Sequence, residues 1–314
     1  MDSVRGYISA IASWKTLALL LALLNIKNIP LSWHIRLFYA FLSNWRWNFS
    51  YPVFPPGKAL VDANGKPTHP VFCMYGITSR TPLSESDYNL HKSNSTYFSD
   101  MDVSRTTLAV RLYTPAIYMV SKDVDRELLS GKGNGMASNA HKSIYVAVGS
   151  VYCAFKREVK PFELYEVLSK VIAWDQKWLY IMTFFLRPGR KGTKQTLLAS
   201  AVTKYVVKKG RLTVPPARVL RRNGLLPPLP EGMTDESLSA ERLVEEEEDS
   251  SLQTVLSEDT DKSAALAQRK SANVEGYNGS DWSYDMVERE RRRGLKVVEG
   301  YANLDAKVFA EWEG

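Results

Sequence analysis

The run Asp87-Tyr88-Asn89-Leu90-His91-Lys92-Ser93-Asn94-Ser95-Thr96-Tyr97 sets a carboxylate and an imidazole just ahead of a helix start. Tyr97, Met101, Leu108 and Leu112 recur with a helical period, and Asn94 or Ser95 is placed to cap the helix they predict over residues 95–112. The first amides of a helix have no intrahelical acceptor and form the positive end of its dipole, so they bind an anion or an oxyanion that develops during reaction. A carboxylate in the preceding loop can then act on the same substrate atom, as nucleophile or as general base toward water. That chemistry suits acyl transfer. A plain polar turn leading into a core helix needs the same residue types, and the motif alone leaves both readings open.

The pattern of Asp87, three residues, His91, two residues, Asn94, two residues and Tyr97 resembles the active-site loop of the 4-hydroxybenzoyl-CoA thioesterase branch of the hot-dog superfamily. Val159-Lys160-Pro161-Phe162-Glu163-Leu164 and Ala173-Trp174-Asp175-Gln176-Lys177-Trp178 are similar to the paired strands and tight turn of small membrane-associated thioesterase superfamily proteins and their fungal relatives. The likeness covers roughly Val71 to Val207. It implies an α+β hot-dog fold, a five-stranded antiparallel sheet wrapped around a central helix, assembled as a homodimer with sites near the interface. It also implies an acyl thioester hydrolase acting on acyl-CoA or a carrier-bound acyl chain. Asp87 falls on the family's catalytic aspartate and Asn94 on the residue whose backbone amide contacts the thioester carbonyl; His91 would orient the loop, and Ser93 and Tyr97 would line the substrate. Two positions depart from the pattern: Ser93 replaces the first of two asparagines, and Lys92 stands where many members carry an apolar residue. A non-catalytic acyl-binding membrane scaffold, or a dehydratase or cyclase on a carrier-bound chain, are the alternatives within the fold.

At 314 residues with 45% hydrophobic residues, the chain is long enough to bury a sizeable core. Cys73 and Cys153 both lie in apolar, strand-like runs, which argues for buried thiols rather than a disulfide scaffold. His34, His69, His91 and His141 are scattered without metal-ligand spacing, so no metal or other cofactor is expected. The net charge of +7 is concentrated in blocks. From Arg187 to Arg222 basic residues occur with no Asp or Glu between them, a block suited to coenzyme A phosphates, to anionic headgroups, or simply to a solvated edge. No base-stacking signature accompanies it, and nucleic acid is not an expected partner.

Around this core the chain divides into residues 1–47, a membrane anchor or interfacial helix pair; 48–69, a Pro- and Gly-bearing linker; 70–222, the thioesterase-like domain; 223–280, an acidic linker expected to be disordered; and 281–314, a C-terminal helix. Ile8 to Ile26 is marginal for a membrane span, and Pro30 to Trp47 mixes aromatic and basic residues in the manner of a headgroup boundary. The alternative is that both helices pack on the domain. A membrane is the expected location, that of the endoplasmic reticulum being one, with the domain on the cytosolic side, since a glycan on Asn94-Ser95-Thr96 would block the site. Strands are predicted over Pro70–Ile77, Ser143–Lys156, Phe162–Ala173, Lys177–Leu186 and Thr196–Val207, the last four as an antiparallel, meander-like set, with a second helix over Ala116–Leu129. Ser130-Gly131-Lys132-Gly133-Asn134-Gly135 lacks phosphate-loop spacing and reads as a flexible connection. Phe162–Ala173 is apolar on both faces, which predicts cover from the helix on one face and from a second subunit on the other. Val298, Tyr301, Leu304, Val308 and Trp312 recur along one side of the C-terminal helix, which is expected to dock on the sheet or else to bind a partner or membrane.

Overall fold

A computed structural model describes residues 13–55, 60–61, 66–130, 139, 141–189, 194–227 and 282–313. The Gly-rich run beyond Ser130, most of the acidic linker and parts of the Pro-rich lead-in lie outside these residues. Six strands form one sheet: β1 (Tyr75–Arg80), β2 (Ile144–Phe155), β3 (Leu164–Trp174), β4 (Trp178–Arg187), β5 (Thr196–Lys209) and β6 (Leu212–Val214). The order is β1-β3-β4-β5-β2, with β6 added on β5, and every pairing is antiparallel. The expected meander therefore holds for β3-β4-β5 alone, because β2 crosses to the far side of β5. The first strand begins at Tyr75 rather than Pro70, since Pro70 opens a short 3-10 turn ending at Phe72.

The long helix α3 (Thr96–Tyr113) packs across the sheet's inner face. Met101, Leu108 and Leu112 are fully buried among Val167, Val171, Ile181, Phe185 and Ala199, and each such side chain removed from water contributes about 1.5–3 kcal/mol. A Cβ at Gly76 would lie 1.9 Å from the Val167 carbonyl oxygen and 2.7 Å from Ser104 Oγ, so the absent side chain lets β1, β3 and α3 meet. The second helix, α4 (Ala116–Leu129), covers the end of the core with Ala116, Val120, Val124 and Leu128. This sheet curled around a helix is an α+β architecture consistent with the hot-dog arrangement.

Two elements ahead of α3 belong to the N-terminal segment. Helix α1 (Trp14–Leu24) has no buried residue, whereas α2 (Ser32–Asn44) packs on α3, burying Ala40 and Asn44. Asn44 Oδ1 accepts from Arg111 Nε at 2.6 Å, and the buried Arg46 guanidinium donates to the carbonyls of Tyr51, Arg111 and Thr114. The packing alternative thus describes α2 and not α1. Among the described residues no helix is long and apolar enough to cross a membrane.

Beyond β6, α5 (Pro216–Arg222) begins with Pro at a first-turn position where a missing N–H costs nothing. Among the described residues, four basic side chains of the block are paired with carboxylates within the chain. Arg187 pairs with Glu163, the buried Lys209 with Asp125, and Arg218 and Arg222 with Glu127 and Asp123 of α4. The carboxylates missing from the block come from elsewhere in the chain.

On the sheet's outer face the C-terminal helix docks as expected, where a second subunit was also expected. That face is covered by the chain's own helix α6 (Tyr284–Glu313), which buries Leu295, Val298 and Ala302 on Ile172, Ala173 and Tyr180. A Cβ at Gly294 would fall 1.8 Å from the Ile172 carbonyl oxygen, so glycine is what allows the helix backbone to rest on β3. The two-faced apolar strand is explained by α3 inside and α6 outside, without a second subunit on that face.

Candidate active site

The loop before α3 is a miniature hairpin. Ser86 bridges Lys92, Ser93 N donates to the Glu85 carbonyl at 2.7 Å, and Asp87 N donates to the His91 carbonyl at 2.8 Å. At its tip Asp87 Oδ1 accepts from the amides of Asn89 (2.9 Å) and His91 (3.3 Å), while Oδ2 bonds no described group. One carboxylate oxygen holds the turn and the other is open to a ligand. His91 Nε2 lies 2.8 Å from Glu158 Oε2, tying the tip to the β2–β3 connection. Lys92 N donates to the Val159 carbonyl at 2.8 Å, a second tie to that connection.

The chain then enters α3 without the expected side-chain cap. Ser95 already has helical dihedrals (φ −61°, ψ −32°), so its hydroxyl, 3.2 Å from Ser93 Oγ, does not reach back to the first-turn amides, and Asn94 makes no cap bond either. Instead the Ser93 carbonyl accepts from Thr96 N and Thr96 Oγ1. Among the described residues the amides of Asn94 and Ser95 donate to no other protein group. These amides stand at the positive end of an 18-residue helix. Asp87, His91, Ser93 and Asn94 therefore share one surface loop. Tyr97 lies beneath it, buried against Phe155 and Phe185 with ring centroids 5.0 and 4.8 Å away, and burial raises its phenol well above the ordinary range.

What positions this loop was not anticipated from sequence. Lys92, the departure from the family pattern, is buried and pairs with Glu85 and with Asp100, one turn into α3. Lys27 enters the same cluster from the turn after α1, donating to Glu85 Oε2 (3.0 Å), Asp100 Oδ2 (2.8 Å), Tyr165 Oη (3.2 Å) and the Arg80 carbonyl (3.1 Å). Arg36 of α2 reaches Asp100 Oδ1 at 2.8 Å, Ser79 Oγ donates to the same oxygen, and Tyr165 Oη donates to Oδ2 at 2.5 Å. Burial alone would raise the Asp100 carboxyl, but Lys92 and Lys27 outweigh it and hold the group well below the usual carboxylate range. Burial lowers Lys27, with Lys92 adding to the effect against the opposing pull of Asp100. Asn25 Oδ1 also accepts from Ser84 N at 2.7 Å, so the turn after α1 is fastened directly to the segment leading into Asp87. One sequence signal was available: Asp100, Ser104 and Arg105 share the buried side of α3 with Met101 and Leu108.

Neither cysteine competes as a nucleophile in this loop. Neither is joined in a disulfide, and burial pushes the Cys153 thiol up to about 11. Among the described residues no group of three His, Cys, Asp or Glu side chains is placed to hold a metal ion.

The chain thus combines a curled antiparallel sheet around one long helix with a carboxylate loop at that helix's N-terminus. The model of the thioesterase-like superfamily matches residues 81–234, which includes this loop and β2 to β6. The chain is 36% identical to a probable thioesterase, atnL, of Emericella nidulans over 229 residues, covering 68% of this chain and 72% of the relative. It is 32% identical to the thioesterase lcsJ of Purpureocillium lilacinum over 313 residues, covering 94% and 92%. This chain belongs to the thioesterase-like superfamily. Among solved structures it is similar to a 4-hydroxybenzoyl-CoA thioesterase bound to 4-hydroxybenzoyl-CoA, at 10% identity and TM-score 0.31, covering 46% of this chain and 96% of that one.

Proposed function

We propose that this chain hydrolyses acyl thioesters carried on coenzyme A or on a carrier protein, at the Asp87 loop. The observation that carries this reading is the pair of unengaged amides, Asn94 and Ser95, at the N-terminus of α3, in the same short loop as a carboxylate with one unbonded oxygen. The substrate carbonyl oxygen accepts from the Asn94 amide, which stabilises charge as it develops there. Asp87 then acts in one of two balanced ways. Its oxygen attacks the carbonyl carbon, the C–S bond breaks to release thiolate, and water opens the resulting anhydride. Alternatively it takes a proton from water, whose oxygen attacks before the C–S bond breaks. His91, held by Glu158, keeps the loop in place. The test is the purified chain against acyl-CoAs of short to long chain with a thiol reagent; absence of thiol release above background across the panel rejects the reading.

The reading includes a membrane surface and a second copy of the chain. Trp14, Leu17, Leu20 and Leu23 of α1 and Ile35, Phe38 and Leu42 of α2 are all exposed, an apolar surface of the kind that inserts at a headgroup boundary. The 11 residues of α1 rise about 16 Å, half of a hydrocarbon core of about 30 Å, which suits lying in the interface. A homodimer is supported at the other side of the sheet, where β2 is an edge strand of 12 residues that pairs only with β5 among the described elements. An uncovered edge of that length favours pairing, and antiparallel pairing with its own copy is two-fold symmetric.

A further inference from the structure

Among the described residues helix α1 has no buried side chain; Trp14, Leu17, Leu20 and Leu23 stand exposed beside Lys15, its one charged residue. A helix of 11 residues without tertiary support is marginal in water, because so few hydrogen bonds barely offset the cost of nucleation. Its C-terminal end is nevertheless built into the domain. The Asn25 amide closes α1 by donating to the Leu21 and Ala22 carbonyls (3.1 and 3.2 Å), and Asn25 Nδ2 donates to the Leu21 carbonyl at 2.8 Å. The same side chain faces the other way through Oδ1, which accepts from Ser84 N at 2.7 Å. Two residues on, Lys27 Nζ donates to Glu85 Oε2 and Asp100 Oδ2. These landing points belong to the two elements that carry the candidate chemistry. Ser84 and Glu85 lead into the hairpin, where the Glu85 carbonyl accepts from Ser93 N at 2.7 Å, and Asp100 lies one turn into α3. Lys92, within the hairpin, pairs with the same two carboxylates. Order in the turn after α1 and order in the Asp87 loop are therefore linked, and a ligand that supports α1 favours the arrangement of the loop.

We propose that anionic lipid bound to α1 regulates the hydrolytic site: the headgroup boundary supports α1, and the Asn25–Lys27 turn passes that support to the Asp87 loop and the start of α3. The proposal rests on the hydrolase and membrane readings above and adds that the two are coupled. Anionic lipid is the occupant because the exposed face of α1 is apolar, its one charge is the lysine, and residues 13–55 contain no Asp or Glu to repel a phosphate headgroup. The coupling is reciprocal. A thioester that orders the loop tightens lipid binding by the factor by which lipid tightens thioester binding. Asn25 and Lys27 touch no reacting atom, so they act as positioning residues.

The test is thiol release from the acyl-CoA that the full chain hydrolyses best, measured with and without phosphatidylcholine–phosphatidylserine vesicles, beside flotation of the same samples. The unaltered chain is expected to float and to be stimulated at least about fivefold. Asn25→Ala keeps every lipid-facing residue of α1, so it should float equally yet be stimulated less than about twofold, whereas concentration of substrate at the vesicle surface would act on both chains alike. Asn25→Asp keeps an oxygen to accept from Ser84 N and should restore the response. Leu17→Asp with Leu20→Asp, both distant in sequence from the loop, should lose flotation and stimulation together, and this pair serves if Asn25→Ala lowers the thermal midpoint. An unaltered chain that floats without stimulation, or an Asn25→Ala chain stimulated like the unaltered one, overturns the coupling and leaves both readings standing. An unaltered chain that does not float overturns the membrane reading and the coupling with it, and one that releases no thiol in either condition overturns the hydrolase reading and the coupling.

Discussion

Replacing Lys27 by Met separates the fastening of the loop from its chemistry. Lys27 Nζ bonds two buried carboxylates, Glu85 and Asp100, together with Tyr165 Oη and the Arg80 carbonyl. Removing one partner from a buried ion cluster costs about 3–5 kcal/mol, because the remaining charges stay desolvated. Here Lys92 still faces both carboxylates and Arg36 still holds Asp100 Oδ1, so the lower end applies, about 3 kcal/mol. The lowering of Lys27 by burial points the same way, since part of its attraction already offsets its own desolvation. For a domain of this size 3 kcal/mol corresponds to a fall in thermal midpoint of roughly 6–12 °C. Urea unfolding followed by circular dichroism, with midpoint and slope fitted separately, measures the change. Turnover at a temperature where the variant is folded is expected to fall less than tenfold, because Lys27 touches no reacting atom. A loss of stability below about 1 kcal/mol would show that the cluster does not hold the N-terminal turn to the loop.

Two further outcomes follow from the packing. Burial lowers His69 to about 4, so between its ordinary value near 6.5 and pH 4 the unfolded chain binds a proton that the native chain does not. Stability should fall on acidification through that window by at most about 3 kcal/mol, and His69→Gln should flatten the slope of unfolding free energy against pH; an unchanged slope refutes the assignment. Substituting Leu17 and Leu20 of the exposed α1 by Asp should abolish flotation with anionic vesicles while leaving the thermal midpoint within about 1 kcal/mol of the unaltered chain, and persistent flotation would remove α1 from the membrane contact.

The elements that were legible in sequence were those whose signal is local. Helix α4 occupies the expected Ala116–Leu129, and β2 to β5 fall within two residues of their predicted ends, because period and turn residues mark them directly. Pairing was not legible: β2 lies beside β5 because of long-range contacts that leave no periodic trace. Nor was the charge cluster, whose members Lys27, Glu85, Lys92, Asp100 and Tyr165 are spread from residue 27 to residue 165 and meet only through the fold. Lys92 is instructive. As a single letter it was a departure from the family pattern beside a catalytic loop, yet its ammonium faces inward, where Glu85 and Asp100 supply the charge that burial requires. The glycine at 294 likewise carried no signal until a strand carbonyl was found beneath it.

The most direct test of the account is Asp87→Asn, assayed for thiol release from acyl-CoA beside its urea unfolding curve. Asn keeps an oxygen to accept from the amides of Asn89 and His91, so the turn and the fold should persist, with stability within about 1 kcal/mol of the unaltered chain. Turnover should fall at least about a hundredfold, the scale of a lost nucleophile or general base. A folded Asp87→Asn chain that hydrolyses acyl-CoA at near the unaltered rate would contradict the account.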